Sequence, residues 1–217
     1  MKLKGAIFDM DGTILDSMFI WMDAERDYLI SKGKTPRDDL FDALRAMNLE
    51  QTARYFIAEY GLTETPEQIK DDVYEMVSHF YLHEAQLKPG AKEFLEFLHR
   101  SGVKMAIATA TDRRFSEGAL RRCGVLELFE SVCTCGDAGA SKDQPTVFMH
   151  ALAAIGTDIA DTIVFEDAYF AIRTAKDAGF RIVAIKDGTT QDQRPLIEPL
   201  AELYVEADPG LEQEFTF

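Results

Sequence analysis

The chain has 217 residues, 47% hydrophobic and 28% charged, a composition that fits one globular domain or a domain with a sizeable insertion. Its formal net charge of −15 argues against nucleic acid or an anionic membrane as partner, since either would require a basic surface. The opening MKLKGAIFDMDG does not read as a signal peptide, no stretch reaches transmembrane length, and the odd cysteine set (Cys123, Cys133, Cys135) suits reduced thiols, so a cytoplasmic protein is expected.

The first predicted strand, Ala6-Ile7-Phe8, stops at Asp9-Met10-Asp11-Gly12-Thr13. In an open α/β sheet, ligands bind beyond the carboxyl ends of strands. Paired carboxylates there invite a divalent cation, although an Asp-Gly turn alone would explain the same residues. Residues 16–87 are helical in character. Apolar residues recur at three- and four-residue intervals, as at Leu40, Leu44, Met47 and Leu49, then Ala53, Phe56 and Ile57. Breaks fall at 33–36, 61–66 and 88–90, and no convincing strand is seen. The expectation is a helical bundle over 16–88, inserted into a core made of 1–15 and 89–217. His79 and His83 share a helix face near Glu75 and Glu84, which reads as solvated surface.

After Pro89-Gly90 the pattern alternates. Helices are predicted over 91–100, 113–123, 146–155 and 170–178, and strands over 103–109, 131–135, 162–165 and 181–185, with a last edge strand at 203–205. Such alternation implies α/β architecture: a Rossmann-like, doubly wound parallel sheet with helices on both faces. The strand carboxyl ends then share one edge. Asp9, Thr109 and Glu166-Asp167 each lie at such an end.

Four elements in this order, Asp9-x-Asp11-Gly12-Thr13, Thr109, Lys142 in SKDQP, and Glu166-Asp167, resemble the haloacid dehalogenase superfamily of phosphohydrolases. The similarity is to its phosphoglycolate phosphatase and β-phosphoglucomutase-like branch and spans essentially the whole chain. The 16–88 block looks like that family's helical cap, hinged at 14–17 and 87–90. The resemblance implies a magnesium-dependent phosphatase acting on a small phosphorylated metabolite, such as a sugar phosphate. Asp9 would be the nucleophile, forming an aspartyl-phosphate, and Asp11 the acid–base partner. Mg²⁺ would be held by Asp9, the Asp11 backbone carbonyl and Asp167, with Glu166 a ligand or its support. Thr109, the Ala110 amide and Lys142 would hold the phosphate. No nucleic acid or membrane partner is implied, and the chain would be a monomer or weak homo-oligomer.

The match has departures. Ala110-Thr111 stand where Ser-Ser or Ser-Asn is more usual, which implies one side-chain donor fewer. Ala168, Tyr169, Phe170 and Ala171 stand where a serine and then a glycine are usual; the two aromatics are expected to pack. Leu49 falls near the position of a basic residue that grips a second phosphate in the mutase branch, which favours phosphatase over mutase. Arg45 and Arg54 are candidates for substrate contact, and each also reads as an exposed helix face. Met18, Phe19, Trp21 and Met22 form an aromatic and methionine stripe that reads chiefly as core. A non-catalytic phosphoester-binding module is a further alternative, opposed by the intact pair Asp9 and Asp11. Phosphonate cleavage would require a Schiff-base lysine, for which Lys32 and Lys34 carry no mark of burial.

Overall fold

The computed structural model describes residues 3–44, 47, 49–205 and 211–215. The chain forms two compact units, Met1–Ser17 with Ala85–Phe217, and Met18–Glu84. The first holds strands β1 (Gly5–Phe8) and β2 (Leu15–Asp16). The second consists of helices α1 (Met18–Ser31), α2 (Leu40–Leu44), α3 (Leu49–Tyr60) and α4 (Pro66–His79), ending in a π-helical turn, Phe80–Glu84. Thr65 starts α4 with a capping box: its hydroxyl accepts the Gln68 amide, and the Gln68 side chain accepts the Thr65 amide.

Back in the first unit, β3 (Gln86–Leu87) leads to α5 (Ala91–Arg100), β4 (Lys104–Thr109) and α6 (Arg113–Arg122), which Asp112 caps. The chain continues through β5 (Ser131–Thr134), α7 (Cys135–Ala138) and α8 (Thr146–Ile155). It closes with β6 (Thr162–Glu166), α9 (Tyr169–Asp177), β7 (Arg181–Ile185), α10 (Arg194–Ile197) and β8 (Leu203–Val205).

Six strands form one parallel sheet in the order β5-β4-β1-β6-β7-β8. The central strands are buried along nearly their whole length, as a sheet covered on both faces requires. Strand alternation sends Ile7, Ala106, Val164 and Ile182 into one core with Phe148 and Ala151 of α8 and Ile172 of α9. The neighbouring residues supply an aromatic cluster: Phe8 stacks on Phe165 at 4.3 Å between centroids, with Phe94 of α5 edge-on to both.

The expectation of no strand within 16–87 is corrected at its margins. Leu15–Asp16 pairs antiparallel with Gln86–Leu87, Leu15 opposite Leu87. Two residues per strand are too few to leave a periodic signal. A second difference lies at Cys135, which was expected to end a strand and instead opens α7, because the Thr134 hydroxyl accepts the Asp137 amide and stops β5.

Candidate active site

Beyond β1 the chain leaves toward β4, whereas beyond β6 it leaves toward β7. The topological switch point therefore lies between β1 and β6, where an α/β sheet opens a crevice at its carboxyl edge. Asp9 follows β1; Glu166 ends β6 and Asp167 follows it. The register Phe8 opposite Phe165 puts these acids side by side. Carboxylate oxygens of Asp9, Glu166 and Asp167 lie within 4.8 Å of one another, and all three residues are buried.

Lys142, in the loop before α8, reaches into this cluster and is itself 5% exposed. Its ammonium donates to Asp9 Oδ1 and, at 2.7 Å, to Glu166 Oε2. The other Glu166 oxygen accepts the amides of Asp167 and Ala168, both at 3.1 Å. Both Glu166 oxygens are thus engaged. Glu166 satisfies the two backbone amides just ahead of α9. Asp167 differs: among the described residues, the donor to Oδ1 is Thr13 Oγ1 at 3.5 Å, and Oδ2 is buried without a hydrogen-bond partner.

Burial, reinforced by the charge of Glu166, pushes the Asp9 carboxyl up to about 7 against the pull of Lys142. Burial and the charges of Glu166 and Asp9 hold Asp167 well above the usual carboxylate range. For Lys142, burial alone would lower the pKa; Asp9 and Glu166 outweigh it and keep the ammonium protonated. The pocket therefore has three acids against one lysine. A buried carboxylate with one oxygen unpartnered, beside two other acids, is a surplus of negative charge that a cation would relieve. Oxygen-only donors select a hard divalent ion.

Asp11 takes hydroxyl partners. Ser17 Oγ donates to Asp11 Oδ1 and Thr111 Oγ1 to Asp11 Oδ2, each at 2.6 Å. Gly12 makes the turn possible: φ is +80°, where a side chain would be strained, and its amide donates to Leu15 O. Thr109 is 1% exposed at the end of β4, and its hydroxyl oxygen accepts the Thr111 amide at 3.0 Å. One lone pair is thereby occupied, which leaves the O–H proton to be donated elsewhere. Ala110 is exposed beside it.

Sequence reasoning passed over Ser17 and Thr111 as partners of Asp11. The only signal was a hydroxyl six residues after Asp11 and another two after Thr109. Tyr169 packs against the core as expected, but Phe170 is 51% exposed, a correction: α9 begins at Tyr169, and its first turn presents Phe170 to solvent. Arg54 is exposed and paired with Glu50 at 2.7 Å. Arg45 lies outside the described residues, as does the Met22 side chain. His79 and His83 are exposed, with His79 Nε2 3.1 Å from Glu84. Lys32 is bound to Asp72 at 3.0 Å and Glu64 at 3.1 Å, and these acids hold it protonated, the opposite of what a Schiff-base lysine needs. Trp21 Nε1 donates to Tyr81 Oη at 2.8 Å within the helical unit. Among the described residues, no helix is long and apolar enough to cross a membrane.

The model of the haloacid dehalogenase-like hydrolase family matches residues 6–185. A phosphorylated carbohydrates phosphatase of Thermotoga maritima is 24% identical over 196 residues, 90% of this chain and 91% of that protein. A validoxylamine A 7'-phosphate phosphatase of Streptomyces hygroscopicus subsp. limoneus is 29% identical over 198 residues, 90% of each chain. The crystal structure of CbbY from Rhodobacter sphaeroides in complex with phosphate superimposes with a TM-score of 0.81 at 18% identity, covering 97% of this chain and 96% of that one.

Proposed function

The chain belongs to the haloacid dehalogenase-like hydrolase family, and on that premise we propose that it is a magnesium-dependent phosphatase of a small phosphorylated metabolite, a sugar phosphate or similar monoester. The observation that carries the reading is the Asp9 carboxylate, buried at the switch point and gripped by Lys142, with a second aspartate two residues on. The names of the curated relatives, both phosphatases of phosphorylated sugars or sugar-like metabolites, support the substrate class. The helical insertion, residues 16–88, is assigned the role of the family's cap.

In this reading an Asp9 oxygen attacks phosphorus, the bond to the leaving alcohol breaks, and Asp11 gives that oxygen a proton. Asp11 then takes a proton from water as the water oxygen attacks the same phosphorus. That step frees Asp9 and inorganic phosphate. Thr109, the Ala110 amide and Lys142 donate to the non-bridging oxygens. The acid cluster fits a divalent cation: Asp9, the Asp11 carbonyl and the open oxygen of Asp167 would hold Mg²⁺, which supplies charge neutralisation between carboxylate and phosphoryl group. Glu166 is assigned to fixing Lys142 and the 167–168 backbone just ahead of α9, since both its oxygens are already bonded.

The test is a panel of phosphomonoesters assayed for phosphate release with Mg²⁺. Turnover of at least one sugar phosphate is expected, abolished by Asp9→Asn and by a chelator. Full activity in Asp9→Asn overturns the assignment. Isomerisation of a hexose 1-phosphate without net phosphate release would replace phosphatase by mutase.

A further inference from the structure

Lys88 stands where the chain re-enters the sheet unit, and its contacts reach two other segments of that unit. Its amide donates to Ile14 O at 2.9 Å, continuing the β2–β3 ribbon by one residue. Its ammonium donates to Lys186 O at 3.0 Å and to Asp187 Oδ2 at 2.8 Å, in the loop after β7. The remaining Asp187 oxygen accepts the Thr189 amide at 2.9 Å and hydroxyl at 2.7 Å. Both ends of the ion pair are nearly buried, with side-chain exposures of 10% and 9%. Such a pair is weak evidence for stability, because desolvation offsets most of the attraction. What it does supply is a fixed position.

That position bears on Asp11. The segment Lys88 holds through Ile14 is the turn from Met10 to Leu15: the amides of Ile14 and Leu15 both donate to Met10 O. Asp11 lies inside this turn, and Ser17, just beyond β2, donates to its carboxylate. Asp187 follows β7, which runs parallel to β6, so the anchoring loop lies at the same carboxyl edge of the sheet as Glu166 and Asp167. We propose that the Lys88–Asp187 pair is a positioning device for Asp11: it pins the ribbon, and with it the 10–17 turn, to the active edge of the sheet. The proposal rests on the acid–base role assigned to Asp11 above.

The test compares Lys88→Met, Lys88→Arg and the double variant Lys88→Met/Asp187→Asn with wild type. Three readouts are taken: kcat and KM on the best phosphomonoester of the panel, thermal midpoint, and hydrogen exchange of the Ile14, Leu15 and Lys88 amides without substrate. Misplacing a catalytic group by about 1 Å can cost on the order of a hundredfold in rate. For Lys88→Met a loss of about tenfold or more in kcat is expected, with KM within about twofold and faster exchange at the three amides. Lys88→Arg should recover part of both. The double variant, which leaves no unpaired carboxylate, should regain the thermal midpoint but neither kcat nor amide protection. Native kcat and exchange in Lys88→Met overturn the proposal. So does a double variant that regains kcat together with its midpoint, because the pair would then act only as charge balance. If wild type hydrolyses no phosphomonoester, the functional reading fails separately; native exchange at the three amides in Lys88→Met then still sinks the anchor.

Discussion

Thr111 Oγ1 donates to Asp11 Oδ2 at 2.6 Å across 100 residues of sequence. Ser17 approaches the other oxygen at the same distance, so two hydroxyls from separate segments, one after β2 and one after β4, fix the carboxylate. Rotation of a proton donor away from its acceptor costs rate even when it remains in the site. Thr111→Val keeps the side-chain shape and removes only the donor. It is expected to lower kcat by roughly tenfold to a hundredfold with little change in KM, while Thr111→Ser retains most of the activity. Steady-state kinetics of the two variants decides.

Lys142 is the buried counter-charge for Asp9 and Glu166. Removing one partner of a buried ion pair leaves the other charge uncompensated, at a cost of about 3–5 kcal/mol. Lys142→Met should therefore melt well below wild type in chelator, beyond its loss of activity. Added Mg²⁺ should restore part of that loss, since the three acids would again face a cation. A melt identical to wild type in chelator would show that the acids do not depend on the lysine.

Asp9 and Asp167 both have pKa values raised by folding, Asp9 to about 7 from an ordinary 3.8. For acids shifted upward, the folded state binds protons more tightly than the unfolded chain. The Asp9 contribution to stability is thus fully present below about 4 and lost as pH rises through about 7, and that of Asp167 has the same sign. The protein without metal should lose stability between pH 5 and pH 8 through Asp9. The stabilisation given by Mg²⁺ should grow over the same interval, because the ion competes with protons for the same oxygens. Melting curves with Mg²⁺ and with chelator at pH 5 and pH 8 measure it. An equal Mg²⁺-induced shift at both values would contradict the assignment of the cluster to the ion.

The parallel sheet was legible because strand–helix alternation is a long-range pattern repeated along the chain, and short apolar runs such as Ile163-Val164-Phe165 leave little choice. Asp9 and Glu166 could be placed together on paper because both follow strands of one parallel sheet. Other relationships left no trace. A two-residue ribbon is shorter than any period, so β2 and β3 were absorbed into the helical block. Thr111, Lys88 and Asp187 matter through partners far away in sequence, and a single hydroxyl or charge, Ser17 included, carries no spacing rule that would reveal its partner. Phe170 was misjudged because an aromatic residue says nothing about which side of a helix's first turn it will take.

Glu25, on α1 of the helical unit, offers a test independent of the site. Burial pushes its carboxyl up to about 7 from an ordinary 4.5. The sign is again that of an acid shifted upward: the neutral form is favoured on folding, so the contribution is greatest below 4.5 and is lost as pH rises through about 7. At pH 8 the charged carboxylate opposes folding by at most roughly 3.5 kcal/mol, taking about 1.4 kcal/mol per unit. Glu25→Gln, which is neutral at every pH and nearly the same shape, should raise the thermal midpoint at pH 8 and leave it close to wild type at pH 4. A variant that is destabilised at pH 8 would mean that the carboxylate has a favourable partner that outweighs its burial.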